Sequence, residues 1–291
     1  MTRILSTRSA PTWLLLTAVC AVLATACADD VPTAQSAQDR IALLEARLTA
    51  NPNPETFAEL TGLYRAEAAD TAQTATYRLN RHRDLARAYL AANRHTDAYE
   101  ALREGARDFP RAATVPEAGL AMAQIAQQRL RQPATAALIH ATLAERFATH
   151  PVLTQLASSI KPRDRDSLRR AMQGHIYGPG GFDREAAIRY GDAAMAHAAL
   201  TDNVDEAVRD HLASGRVLEQ AKQYDRALRH YREVQRAYPQ HRKAADAMFL
   251  EAFVLREVYA DRDAGDSILT AFLTRHPAHT LADDARALIA E

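Results

Sequence analysis

Four dipeptides space this chain more strictly than its composition does. Phe109-Pro110, His150-Pro151, Tyr238-Pro239 and His276-Pro277 each close a long amphipathic stretch. The proline spacings are 41, 88 and 38 residues, and 88 is close to two units of 44. A recurring unit of that length is the mark of stacked helical hairpins, in which each unit buries its apolar face only against its neighbours. Proline ends each unit because it cannot donate the next helical hydrogen bond and disfavours helix in the residue before it.

Composition agrees with an all-α chain. Ala, Leu, Arg, Glu and Gln, all good helix formers, dominate the 291 residues. Alternating runs of Val, Ile or Thr, the signature of strands, do not occur. The periodicity predicts helices over 37–49, 55–69, 73–92, 96–107, 115–130, 133–148, 164–174, 183–199, 204–221, 224–237, 241–259, 263–275 and 280–290. Asn203, with Glu206 three residues on, reads as a helix-capping pair. Leu212, Leu218, Leu228, Tyr231 and Val234 read as the repeat core.

The residues before the prolines resemble the tetratricopeptide repeat, whose two helices nest through large, small and aromatic residues at fixed places. In the unit ending at Pro110, Leu85, Ala86, Tyr89, Ala98, Leu102 and Gly105 fall on the pattern. In the unit ending at Pro239, Gly215, Leu218, Ala227 and Tyr231 do. The unit ending at Pro277 fits after a shift, with Ala264 in the small place and a longer first helix, and the unit ending at Pro151 is degenerate. From residue 172 onward the chain is similar to the C-terminal repeats of periplasmic and outer-membrane tetratricopeptide proteins, including those of β-barrel assembly and cell-division coordination. Phe249-Leu250, Phe272-Leu273, His276-Pro277 and Leu281 to Ala285 follow the cadence of such lipoproteins in Bacteroidota-type bacteria, with Ile268 and His276 in place of aromatics. The resemblance implies an α-α superhelical solenoid and a scaffolding role. It also implies a peptide groove on the first helix of each pair, which would hold Asn80, Arg83, Arg87, Arg209, Arg216 and Gln220. Arginine pairs with carboxylates through two parallel hydrogen bonds, so an acidic or C-terminal peptide is a candidate occupant, and ordinary solvated helix faces are the other reading of the same residues.

The leader carries a second message. Arg3 and Arg8 form a positive start without acidic residues, and Trp13 to Ala26 form an apolar run of 14 residues. That is the length of a signal-peptide core and short of the ~20 residues that span a bilayer. Ala24-Thr25-Ala26 suits an ordinary signal peptidase, and the same residues before Cys27 resemble the lipobox of bacterial lipoproteins, with Ala24 where Leu is usual. The two cysteines are Cys20, which leaves with the leader, and Cys27, which would then be the sole cysteine in an oxidising compartment. Lipid on Cys27 gives that thiol a role, since each buried CH₂ contributes about 0.8 kcal/mol and two acyl chains anchor stably. Ala28 follows Cys27 in place of the Asp that retains enteric lipoproteins at the inner membrane, which points to the outer membrane and the periplasm. The expected organisation is a signal peptide over 1–26, a lipidated tether over 27–38, N-terminal hairpins over 39–160, a linker with a Gly-rich loop over 161–182 and C-terminal repeats over 183–291.

Chemistry is sparse. Lys+Arg and Asp+Glu each number 36, so no global field favours nucleic acid or an anionic surface. Gly174, Gly178, Gly180 and Gly181 follow no predicted strand and precede no Lys-Ser/Thr, so they are read as a linker, with Tyr177 and Phe182 as the residues a contact loop would use. His276 and His279 could share a metal only with a third ligand, which the sequence does not supply. No catalytic, metal or cofactor residues are assigned. The expected function is a membrane-anchored, periplasm-facing scaffold for envelope proteins or peptides, the alternative an envelope enzyme or glycan-binding protein built on the same solenoid. A deep pocket with converging carboxylates would favour the alternative.

Overall fold

The computed structural model describes residues 34–153 and 164–290. The leader, Cys27 and most of the expected tether lie outside the described residues, as do residues 154–163. The helices are α1 Ala34–Ala50, α2 Pro54–Ala69, α3 Ala75–Ala91, α4 His95–Asp108, α5 Val115–Gln128, α6 Pro133–Arg146, α7 Arg165–Ile176, α8 Arg184–Leu200, α9 Val204–Gln220, α10 Tyr224–Ala237, α11 Ala244–Glu257, α12 Arg262–Arg275 and α13 Ala282–Ala290. Between α7 and α8 sit two short strands, β1 Tyr177–Gly178 and β2 Gly181–Phe182. No helix among the described residues is long and apolar enough to cross a membrane. The chain divides into two compact units, Met1–Leu63 and Tyr64–Glu291.

In the first unit α1 begins at Ala34, so residues 34–38 of the expected tether are helical. Ile41 and Leu44 of α1 and Leu60 of α2 are buried, and an exposed Arg40–Glu59 ion pair bridges the two helices. Such a surface pair contributes little, so the apolar contacts carry this unit.

The second unit is an all-α solenoid of hairpins. The helices pack as consecutive pairs α3/α4, α5/α6, α9/α10 and α11/α12. Each pair turns through one non-glycine residue in the left-handed region: Asn93, Arg131, Lys222 and Ala260, with φ of 57°, 57°, 54° and 55°. The three-residue turns close by Arg94 N–H donating to Tyr89 O and Gln223 N–H to Leu218 O, both at 2.8 Å. These bonds satisfy carbonyls that the helix end would leave unpaired. At the other end, side chains of Thr74, Asp164, Asp183, Asn203 and Asp261 accept from backbone N–H groups three residues on, the expected Asn203 cap included.

Close helix crossing requires small residues. Ala98 of α4 and Ala227 of α10 are fully buried, each twelve residues before its proline. In the last pair the residue twelve before Pro277 is Gly265, where a Cβ would lie 2.9 Å from Arg256 Cβ and 3.1 Å from Ala252 O. Gly265 is therefore the small residue of this unit, and the half-buried Ala264 is not. α11 is also no longer than its partner: both have 14 residues. The additional residue lies in the turn, which has four residues, Val258–Asp261, against three in Ala92–Arg94. The degenerate unit has its own cause. α6 ends at Phe147, before Pro151 can stop it, whereas Phe109, Tyr238 and His276 cap their helices directly ahead of proline.

The Gly-rich segment differs from the expected simple linker. Gly174 lies within α7, and Tyr177 pairs with Phe182 and Gly178 with Gly181 in an antiparallel hairpin. Gly181 makes the turn with φ of +93°, open to glycine without strain. The Tyr177 and Phe182 ring centres lie 5.7 Å apart with the planes tilted by 57°. Phe182 packs onto the core of Leu138, Leu168, Met172, Ile176 and Tyr190 that joins α6, α7 and α8. Leu212, Leu218, Leu228, Tyr231 and Val234 form the next core, between α9, α10 and α11.

Candidate functional site

Three of the six expected groove residues meet. Asn80, Arg83 and Arg87 fall at i, i+3 and i+7, one face of α3. They line a cleft of about 540 Å³ whose opposite wall is Gln124, Gln128 and Arg129 from α5 and its end, over a floor of Ala86, Leu90, Leu102 and Ile125. Arg81, Arg83, Arg87 and Arg129 bring four guanidiniums, and Asp84 the one carboxylate. Asp84 is buried and serves both Arg81, at 3.0 Å, and Arg87. Arg83 donates to Asn80 Oδ1 at 3.1 Å. The Arg87 side chain stays 75% exposed, so its guanidinium is held at one edge and open at the other. The cleft thus combines an apolar floor with walls in which positive charge predominates.

Arg209, Arg216 and Gln220 do not line this cleft. They share an exposed stripe of α9, at i, i+7 and i+11. Arg209 lies 4.0 Å from Glu206. Gln220 Oε1 accepts the Tyr177 hydroxyl at 2.7 Å, which ties the β-hairpin to α9. Tyr177 is nonetheless 59% exposed. Nothing brings His276 and His279 to a shared third ligand: among the described residues no group of three or more His, Cys, Asp or Glu converges. His279 instead accepts Leu281 N–H at Nδ1 and donates from Nε2 toward Asp246, at 3.1 Å.

Helices α4, α8, α9 and α10 hold what the sequence did not announce. Polar residues interrupt their apolar stripes at Arg103, His197, Asp210, His211, Ser214, His230 and Glu233, all buried. That interruption was the one available signal. The residues converge because α4 packs against α8 and reaches α10. Arg107 Nη1 donates to Glu233 at 3.3 Å, and Arg236 binds both Glu233, at 2.8 Å, and Asp108, at 3.3 Å. Burial opposes the charge on Glu233 and Asp108, but the arginines around them prevail and hold both carboxyls below the usual range. His211 and His230 share a hydrogen bond between their Nδ1 atoms at 3.1 Å. Burial holds His211 down to about 4 and His230 well below its ordinary value, so both are neutral at pH 7. Asp210 takes Arg169 of α7 and lies 2.8 Å from His197 Nδ1.

Beside this polar interior lies a second cavity of about 300 Å³, between α4, α8 and α10. Glu100 and Asp192 both face it, yet each is tied to a guanidinium: Glu100 to Arg103 at 2.6 Å and Asp192 to Arg226 at 2.7 Å. Burial raises Asp192, against the pull of Arg226. Both carboxylates are therefore engaged by guanidiniums in this structure.

No family model matches the chain, and no curated protein matches it in sequence.

Proposed function

We propose that this protein is an exported, lipid-anchored scaffold of the tetratricopeptide type, which holds an acidic segment of a partner protein in the cleft between α3 and α5. The observation that carries the reading is the concentration of charge in that cleft. Four guanidiniums face one carboxylate there, in a chain whose Lys+Arg and Asp+Glu are equal at 36 each. A carboxylate entering beside Arg83 and Arg87 gains charge-assisted bonds over an apolar floor, where they are stronger than in open water. Lipid on Cys27 sets where this happens. The residues between Cys27 and α1 space the cleft from the bilayer, in the periplasm and at the outer membrane.

The test combines crosslinking in the native envelope with charge reversal. Arg83→Glu with Arg87→Glu weakens capture of the acidic partner by at least about tenfold; Arg81 still serves the buried Asp84 at 3.0 Å, and circular dichroism of the variant checks that the fold is kept. Retention of every crosslinked partner by the double variant overturns the cleft. The anchor is tested separately by palmitate labelling: Cys27→Ser loses the label and leaves the membrane fraction. Recovery of that variant wholly in the membrane overturns the anchor.

A further inference from the structure

We propose that the second cavity, between α4, α8 and α10, binds a small ligand bearing one carboxylate with a hydrogen-bond donor beside it, as a free amino acid or a short peptide's terminal residue does. Charge is the first ground. Arg103, Arg226 and Arg229 face the cavity against Glu100 and Asp192. Arg103 and Arg226 are paired, while Arg229 forms no ion pair with a carboxylate among the described residues. The lining thus has one guanidinium in excess, which a single carboxylate neutralises.

Unmade hydrogen bonds are the second ground. Tyr99 lines the cavity at 4% exposure, and its hydroxyl is buried without a partner. Gln132 Nε2 donates to Asp192 at 3.2 Å, which fixes the amide orientation and leaves Gln132 Oε1 buried and unpaired. A buried polar atom without a partner is costly. The free hydroxyl asks for an acceptor and the free amide oxygen for a donor. A ligand with a carboxylate and an adjacent N–H or O–H supplies both. At about 300 Å³ the cavity sits at the small end of ligand sites and admits a residue or two, not a folded partner. It shares no lining residue with the α3/α5 cleft.

The probe is alanylalanine compared with its C-terminal amide, titrated by calorimetry into the full chain without its leader. The free acid binds saturably and the amide binds about tenfold more weakly, the worth of one charge-assisted contact. Arg229→Gln brings the acid down to the level of the amide. Tyr99→Phe weakens the acid too, yet leaves thermal stability unchanged or higher, because the hydroxyl it removes has no partner in the empty protein. Arg83→Glu with Arg87→Glu leaves all these affinities as they were, so failure here and failure of the cleft are separable. Equal binding of acid and amide, no binding of either, or an Arg229→Gln protein that binds the acid like the unaltered chain overturns the proposal.

Discussion

At Gly215 a missing side chain lets α9 and α10 meet. A Cβ there would lie 2.3 Å from Tyr231 Cε1 and 2.6 Å from Cζ, and Tyr231 is itself fully buried. Two effects compete in Gly215→Ala. Helix propensity favours alanine by about 1 kcal/mol. Overpacking costs about 1–3 kcal/mol, and at this distance a rigid ring must move, so the clash wins. Gly215→Ala is expected to destabilise by about 1–2 kcal/mol in urea unfolding. Gly62, in the interior of α2, has nothing within 4 Å of its would-be Cβ. There propensity acts alone, and Gly62→Ala gains up to about 1 kcal/mol. Equal effects at the two sites would refute the packing argument. A second residue-scale prediction concerns Ala260, left-handed at φ of 55°. An L-residue there costs about 1–2 kcal/mol, of which glycine's greater freedom in the unfolded chain returns part. Ala260→Gly is expected to raise the melting temperature by a few degrees, and a fall would mean that the alanine methyl is stabilising. Position 215 was readable from sequence, since Gly215 and Ala227 stood on the repeat pattern. Gly265 was not, because the additional residue in the Val258–Asp261 turn shifted the pattern by one and promoted Ala264.

At the scale of elements, α9 and α10 are joined by a polar contact as well as by Leu218, Leu228 and Tyr231. His211 and His230 share one proton between facing Nδ1 atoms, so they hold opposite tautomers, and both are buried. Around them stand Glu233 and Asp210, which favour protonation of His211, and Arg103, which opposes it. Burial dominates and lowers both histidines, His211 to about 4. In the unfolded chain each titrates near about 6.5. Between those values the unfolded state binds more protons than the folded one, so stability rises with pH through this window and is lost as pH falls from about 6.5 toward 4. The expected loss for His211 alone is of order 3 kcal/mol once pH is below 4. Urea midpoints measured from pH 7 to pH 4.5 (approximate limits set by the histidine range) should fall more steeply for the natural chain than for His230→Gln. Parallel curves would show that His230 contributes nothing to the pH response. The helices themselves were legible, since every predicted segment outside the undescribed stretches is helical within a few residues at each end. The β1–β2 hairpin was not: two-residue strands carry no period to read.

For the whole of Tyr64–Glu291 the question is how far one hairpin feels another. In a simple repeat array each unit touches only its neighbours, and opening spreads step by step. Here α4 also packs on α8, and Arg107, Asp108, Glu233 and Arg236 stitch α4 to α10 across more than a hundred residues of chain. No periodicity shows this, because Arg107 and Glu233, and likewise Asp108 and Arg236, lie in different repeats; for the same reason the second cavity escaped the sequence while Asn80, Arg83 and Arg87, spaced along one helix, did not. The Arg107 and Glu233 side chains are 17% and 11% exposed, so solvent weakens their attraction only in part. Their coupling in a double-mutant cycle should exceed the about 0.5 kcal/mol typical of exposed pairs. The consequence is testable through Gly215→Ala. That substitution strains α9 against α10, far from α4 in sequence. If the stitch and the α4–α8 contact transmit the loss, native-state hydrogen exchange will show α4 amides opening more easily by about the same free energy as α10 amides. Restoring nearest-neighbour behaviour by adding Glu233→Ala should then uncouple them, leaving α4 protected while α10 opens. If α4 exchange in Gly215→Ala matches the natural chain from the start, the second unit behaves as a linear array, and the polar interior that surrounds the second cavity does not couple α4 to α10.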